Sequence, residues 1–416
     1  MTEIGEVIEV SKKTLLVEFP EIHPKAKCTV SFVSTLRVPD DGRTYSLPAG
    51  LGNFPLTPVE DTLLPEIHQR RGGVVLPLYQ HEALWISFDS YYPFAVKVGS
   101  GKVNATNGKL WSNEFQESEQ DYLVLPDQPW LDGFYTEDGT VRQFVATHLG
   151  DGTTVEEQVT GQAEFGGIQL IFYPMKASHF EFRVEAVDNA TQVRFDTELL
   201  IQDIDAGAFG DHIREKADRA YKELEEQTRK LTHALSVFPD DKFIIRELKR
   251  VESISGLLLE RLNQLKTRSS NTSSPRLKVE EELPLFRDGR TQMMGLGLGG
   301  KISQDIYKDR WGVDSWQKDT LSRCFVHLVS SNDYQAVTGK LPPPSPISLE
   351  DYQKSGIPWF EYEDSLETLR PSPLLGRLKS LMTFRKERTG IPDLSGNGID
   401  NLSAPIKLTK SSKKVW

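Results

Sequence analysis

GLGLGGKIS, residues 295–303, is the stretch whose reading decides the architecture. Gly295, Gly297 and Gly300 fit G-x-G-x-x-G, the spacing that brings a backbone close to a dinucleotide pyrophosphate. Gly295, Gly300 and Lys301 nearly fit the phosphate loop G-x-x-x-x-G-K-[ST]. Ile302 stands where the hydroxyl that reaches Mg²⁺ should be, and Ser303 comes one residue late. If either pattern held, the chain would be an α/β nucleotide enzyme.

The flanks argue against that. A dinucleotide fingerprint follows a strand, opens a helix and sits in a βαβ unit. RDGRTQMM, which precedes the glycines, is polar and lacks β-branched residues, and no strand–helix alternation surrounds it. Asp319 stands at about the distance of a ribose acid, but acidic residues are common. The glycines therefore read as a tight irregular turn or as close packing against a β core. An anion on their backbone N–H groups is the remaining ligand reading, which makes Gly297, Gly300 and Lys301 candidate contacts.

Upstream, residues 1–204 read as β-rich. CTVSFVSTLRV (28–38), GGVVLPLY, ALWISF, FAVKV, VRQFVATHL, GIQLIFYPM, FEFRVEAV and TQVRFDTELLI are short runs rich in β-branched and aromatic residues, and turns such as EDG, GDG and FGG separate many of them. With no helices between them, antiparallel pairing in a sandwich or barrel is expected. From 205 to 268 the period changes. Ile213, Ala217, Ala220, Leu224, Leu231 and Leu235 recur at helical spacing, and FPDD (238–241) breaks the run. Ile244, Leu248, Val251, Ser255, Leu258, Leu262 and Leu265 then step by four and three, a heptad seam with one polar member. The expectation is an α+β protein: a mainly antiparallel sandwich or barrel with an inserted helical hairpin. Residues 269–290, with SSNTSSPR, read as a linker. Residues 291–365 complete the β domain, and 366–416 form a basic flexible tail.

Composition narrows the class. The 416 residues predict two or three domains, and 26% charged with 38% hydrophobic residues suits a globular protein. No apolar run approaches the roughly 20 residues of a membrane span. MTEIGEVIEVSKK lacks the apolar stretch of a secretory signal, so a cytoplasmic protein is expected. Two cysteines exclude a disulfide framework and a four-cysteine zinc site, and a net charge of −11 argues against nucleic acid.

Candidate chemistry concentrates between residues 81 and 164. His81, Glu82, Asp132 and His148 are the acid–base candidates. Lys97, Lys102, Trp130, Arg142 and Glu164 are candidate ligand contacts beside them, with Asn104, Asp127, Glu156, Glu157 and Gln158 nearby. The competing reading is that these are solvent-facing strand positions and ordinary turns. Trp130, in DQPWLDG, is a core plug or a binding aromatic, and Trp85 reads as core. In RCFVHL, Cys324 and His327 would meet on a helix but point to opposite faces of a strand, and FVHLV argues strand. No metal site and no cofactor are implied.

The strings AVKVGSGKVNATNGKLW, VLPDQPWLDGF, VRQFVA, EEQVTGQAEFGGIQLIFYPMK, MGLGLGGKISQDIY and RCFVHL resemble a group of bacterial and fungal proteins with no assigned activity. The resemblance covers 35–176 and 291–365. It implies soluble intracellular proteins, places GLGLGG with the β domain and transfers no catalytic residue.

Three functions follow in order. The first is a binding or scaffold protein, with a small molecule or peptide on the β domain and a partner or second copy on the hairpin. The second is an enzyme acting on a small molecule with the His/Glu/Asp set. The third is a nucleotide-dependent enzyme using Gly295–Lys301.

Overall fold

The computed structural model describes residues 3–4, 8–10, 13–116, 118–208, 210–265, 292–362, 364, 366–390 and 405–408. The 269–290 linker and most of the tail beyond 390 lie outside them. The chain divides into two compact units, 1–175 with 282–416, and 176–281.

The first unit carries the strands. In chain order, β1 is Leu15–Glu18, β2 Lys27–Thr35, β3 Gly50–Asn53, β4 Val74–Leu78, β5 Ala83–Asp89 and β6 Phe94–Ser100. Then come β7 Trp130–Leu131, β8 Thr140–His148, β9 Ile168–Pro174, β10 Met294–Ser303, β11 Thr320–Ser330 and β12 Trp359–Tyr362. A ten-stranded sheet is built on the path β1–β2–β5–β8–β10, with β3 beside β2 and β7 beside β5. An eight-stranded sheet runs β6–β9–β11–β4, and β12 belongs to a small third sheet. Neither large sheet closes into a barrel among the described strands. Pairing is mostly antiparallel, but β11 and β4 run parallel from Val326↔Val74 to Ser330↔Leu78. A long stretch of chain, which includes the helical second unit, separates the two strands and supplies the crossover that a parallel pair needs.

The glycine stretch is not a turn. It is β10, paired antiparallel with β8 from Thr140↔Ser303 to His148↔Met294, and buried through Gly300. Its glycines are needed on both faces. A Cβ on Gly297 would meet Leu381 at 2.7 Å, and one on Gly299 would meet Val145 at 2.5 Å. On Gly300 a Cβ would lie 2.2 Å from the Pro39 carbonyl oxygen. Close packing thus outweighs the low strand propensity of glycine. Leu381 opens a helix, Leu381–Thr389, capped by the Ser380 hydroxyl, so this part of the expected tail is folded against β10. Between the last two long strands, SQDIYKDRWGVDSW is a loop with one short turn, Val313–Ser315.

The second unit is helical from Ala177. A wide π turn, Phe180–Glu185, leads into α1, Ala186–Asp205. FEFRVEAV and TQVRFDTELLI therefore form helix, not strand. Over six residues F-E-F-R-V-E alternates, but over twenty the buried set is Ala186, Ala190, Thr197, Leu200, Ile201 and Ile204, a helical period. The helices α2 (Asp211–Val237) and α3 (Lys242–Leu265) follow the expected spacing. Ala217, Leu224 and Leu231 of α2 and Ile244, Val251, Leu258 and Leu262 of α3 are buried in one cluster with α1. Ile254 is buried beside the polar seam position Ser255. The hairpin is thus two-thirds of a three-helix unit. Ion pairs Arg194–Glu247 (2.6 Å) and Arg261–Asp205 (2.6 Å) set α1 parallel to α3.

Candidate functional site

The alternation that makes β2 and β5 also makes a cleft. In β2, Cys28, Val30 and Phe32 face the core, so Thr29, Ser31 and Val33 face the other way. In β5, Leu84 and Ile86 face the core, which leaves Trp85, Ser87 and Asp89 outward. Register aligns the two sets, with Thr29↔Asp89, Ser31↔Ser87 and Val33↔Trp85. On the outer flanks Ser87 pairs with Trp130 of β7, and Val33 with Asn53 of β3. The middle row is therefore two serines beside Trp130, and the next row sets Val33 between Asn53 and Trp85. Small side chains form a floor and large ones the walls.

This face holds a cleft of about 450 Å³. Trp85, Trp130 and Phe360 of β12 wall it, and Gly50 and Gly52 lower its rim. Gly52 has φ +123°, which a residue with a Cβ rarely adopts, and nothing lies within 4 Å of where its Cβ would be. The Asn53 amide donates to the Ser31 hydroxyl at 3.2 Å, which holds the floor in place. The Thr29 and Ser87 hydroxyls, the Asn53 Oδ1 and the Asp89 carboxylate make no hydrogen bond or ion pair to another described residue. Among the described residues, no Lys, Arg or His lines the cleft, and Asp89 is the one ionisable group there.

Of the residues singled out in the sequence, Trp85 lines this cleft, and so does Trp130. It is 6% exposed and meets Tyr362 edge-on at 4.9 Å, so it is both plug and wall. The four acid–base candidates do not converge there. His81 is exposed on the β4–β5 turn, with φ 66°. Glu82 turns inward and accepts from the Tyr79 N–H (2.9 Å) and the Ser34 hydroxyl (3.1 Å), and burial pushes its carboxyl up to about 7. Asp132 is sealed. Burial pushes it up to about 8 against the lowering influence of the Trp130 indole, and its Oδ2 has no hydrogen-bond partner. His148 lies half-buried at the end of β8, beside Met294 of β10.

The charged ligand candidates are paired with other side chains or bound to the backbone. Lys97 is fully buried, 2.7 Å from Asp121 and 2.8 Å from the Glu114 carbonyl. Lys102 pairs with Glu164, and Arg142 pairs with Asp40 and reaches the Gly299 carbonyl at 3.0 Å. Lys301 pairs with Glu137 at 2.7 Å. Gly297 and Gly300 have their Cβ positions occupied by neighbours, so they open onto no ligand. Glu156 accepts backbone N–H groups of Lys102, Phe165 and Gly166, and Glu157 those of Gly150, Gly152 and Thr154. These two carboxylates tie loops together.

Cys324 and His327 sit on β11, three residues apart on a strand. Burial raises the Cys324 thiol to about 12. The partner of His327 is His68, with the Nδ1 atoms 3.2 Å apart, while its Nε2 meets the Gly72 carbonyl at 3.0 Å. Burial, with the nearby His68 and Arg71, lowers His327 to about 4. Among the described residues no group of three or more His, Cys, Asp or Glu is placed to hold a metal ion. No described helix is long and apolar enough to cross a membrane.

The residues the sequence reading missed are Thr29, Ser31, Asn53, Ser87 and Asp89. For all but Asn53 the signal was present in T-V-S-F-V and W-I-S-F-D, where polar residues take the outward positions of otherwise apolar strands. No protein-family model matches the chain, and neither a curated protein nor a solved structure does.

Proposed function

We propose that this is a binding protein, and that the face of β2, β3, β5 and β7 holds a small ligand without transforming it. The observation that carries the reading is the cleft itself. The Thr29 and Ser87 hydroxyls, the Asn53 Oδ1 and the Asp89 carboxylate have no hydrogen-bond or ion-pair partner among the described residues, and they stand beside aromatic walls. Ligand sites combine apolar walls with a few such polar groups that fix orientation. Acid–base catalysis requires a proton-transferring group within hydrogen-bond reach of the substrate. Glu82 and Asp132, the carboxyls with the largest upward shifts, lie inside the sheet and not on the cleft. An enzyme using them is the weaker reading, and a nucleotide enzyme using Gly295–Lys301 has no loop to use. The helical unit offers the scaffold surface of the same proposal, through the outward residues Phe195 and Leu199 of α1.

Ser87→Phe tests the reading. The ring would occupy the floor between Ser31 and Trp130. A panel of small cationic, neutral and anionic compounds is screened by thermal unfolding of the wild type and the variant. Compounds that raise the wild-type midpoint should not raise that of Ser87→Phe. Equal shifts in both proteins would place binding elsewhere and reject the cleft.

A further inference from the structure

The groups that line the cleft share one electrostatic character. The Asp89 carboxylate and the Asn53 Oδ1 accept hydrogen bonds and cannot donate them. Trp85, Trp130 and Phe360 line the cleft, and the faces of aromatic rings carry partial negative charge. Thr29 and Ser87 can do either. Among the described residues lining the cleft, no basic side chain balances this set. The basic residue next along the same face of β2 is Lys27, and Glu18 pairs with it. An anionic ligand would meet an unpaired carboxylate here and no cation. The whole chain adds 60 acidic to 49 basic residues, a net −11, which draws cations toward the surface.

We infer that the cleft's ligand is an organic cation, an amine or quaternary ammonium with an apolar body. This rests on the cleft being a ligand site. Strand geometry supplies the pose. Trp85, Ser87 and Asp89 succeed one another on one face, about 7 Å apart per step, so Asp89 and Trp85 mark ends about 14 Å apart. Ser87 is the cross-strand partner of Trp130. The cationic head sits between the Asp89 carboxylate and the Trp130 ring, held by ion pairing and cation–π attraction. The body lies over the Ser31 and Ser87 floor toward Trp85 and Phe360. The hydroxyls leave the floor narrow enough for a flat group to contact both walls. Asp89 is exposed at the outer end, so its charge is screened by water. The cation therefore discriminates against neutral analogues by a moderate factor, about tenfold.

Calorimetric titration of the full chain tests this with four probes: benzyltrimethylammonium, benzyl alcohol, benzoate and glucose. Each is run against the wild type, Asp89→Asn and Ser87→Phe. The expected result is saturable binding of benzyltrimethylammonium at one site, about tenfold weaker binding of benzyl alcohol and no binding of benzoate. Asp89→Asn should lose about tenfold for the cation and nothing for the alcohol, with its unfolding midpoint unchanged. Ser87→Phe should abolish both. If glucose or benzyl alcohol binds as well as the cation, and Ser87→Phe abolishes that binding, the charge assignment is overturned and the ligand site stands. If no probe binds the wild type, or Ser87→Phe leaves the binding intact, both inferences fall.

Discussion

Gly300→Ala puts the account of the glycine strand under the most strain. The new methyl would lie 2.2 Å from the Pro39 carbonyl oxygen and 2.8 Å from the Val38 Cγ2 and carbonyl oxygen. That segment cannot retreat cheaply. The Val38 N–H donates to the Gln143 Oε1 at 3.0 Å, and the Gln143 amide donates to the Leu36 carbonyl at 2.9 Å. Two buried hydrogen bonds to one β8 side chain therefore pin it. Overpacking a well-filled interior costs about 1–3 kcal/mol, and a clash with pinned backbone belongs at or above the upper end. Gly297→Ala is the internal control. Its methyl meets the Leu381 Cδ2 at 2.7 Å and the Thr153 carbonyl at 3.1 Å. Leu381 can change rotamer, so the cost should be about 1 kcal/mol. Tryptophan fluorescence isolates the effect, because all seven tryptophans fall outside residues 176–281. With an unfolding entropy of about 2.1 cal/mol/K per residue, 1 kcal/mol moves the midpoint of a unit this large by about 1.5 °C. Gly300→Ala should therefore fall by about 4–5 °C or more and Gly297→Ala by about 1–2 °C. Leu381→Ala should make Gly297→Ala nearly free in the double variant. Equal losses at the two glycines, or a tolerated Gly300→Ala, would refute the packing argument and restore a conformational one.

Three further outcomes are expected. Burial holds Asp132 at about 8, above its unfolded value of 3.8, so the fold keeps a proton that the unfolded chain releases. Its contribution is present below pH 4 and is lost as pH rises toward 8. Asp132→Asn should raise the tryptophan midpoint at pH 7 and flatten that slope, and an unchanged slope would contradict the burial. His327 has the opposite sign. Its folded value near 4 lies below 6.5, so stability is lost as pH falls from 6.5 toward 4, and His327→Gln should remove that loss. In the helical unit, Leu224→Ala empties a fully buried position and should cost about 2–5 kcal/mol, read by circular dichroism at 222 nm. A neutral result would mean that α1 does not close the seam.

How much of this was legible depended on the range over which each signal acts. The helical period of α2 and α3 persists over more than twenty residues and could be read directly. In α1 a local alternation, F-E-F-R-V-E, masked the longer period that governs burial. The lack of a strand before GLGLGG and of a helix after it could be read in the sequence, because both are local requirements of a nucleotide loop. That it is itself a strand was hidden, since each glycine answers to a neighbour distant in sequence: Thr154, Leu381, Val145 or Pro39. The cleft was hidden for the same reason. Ser31 and Ser87 are 56 positions apart and meet through register, which no spacing in one strand reports. Charged residues attracted the sequence reading, yet Lys97, Arg142 and Lys301 are the ones whose charges the fold has already paired.

A crystallographic fragment screen tests the central claim most directly. A few hundred small fragments of every charge class would be soaked into crystals of the full chain. The account predicts that they collect over Ser31 and Ser87, between Trp85 and Trp130, with amines oriented toward Asp89. An empty cleft, with fragments gathered at the Glu82 turn, His148 or the β10 glycines, would contradict it.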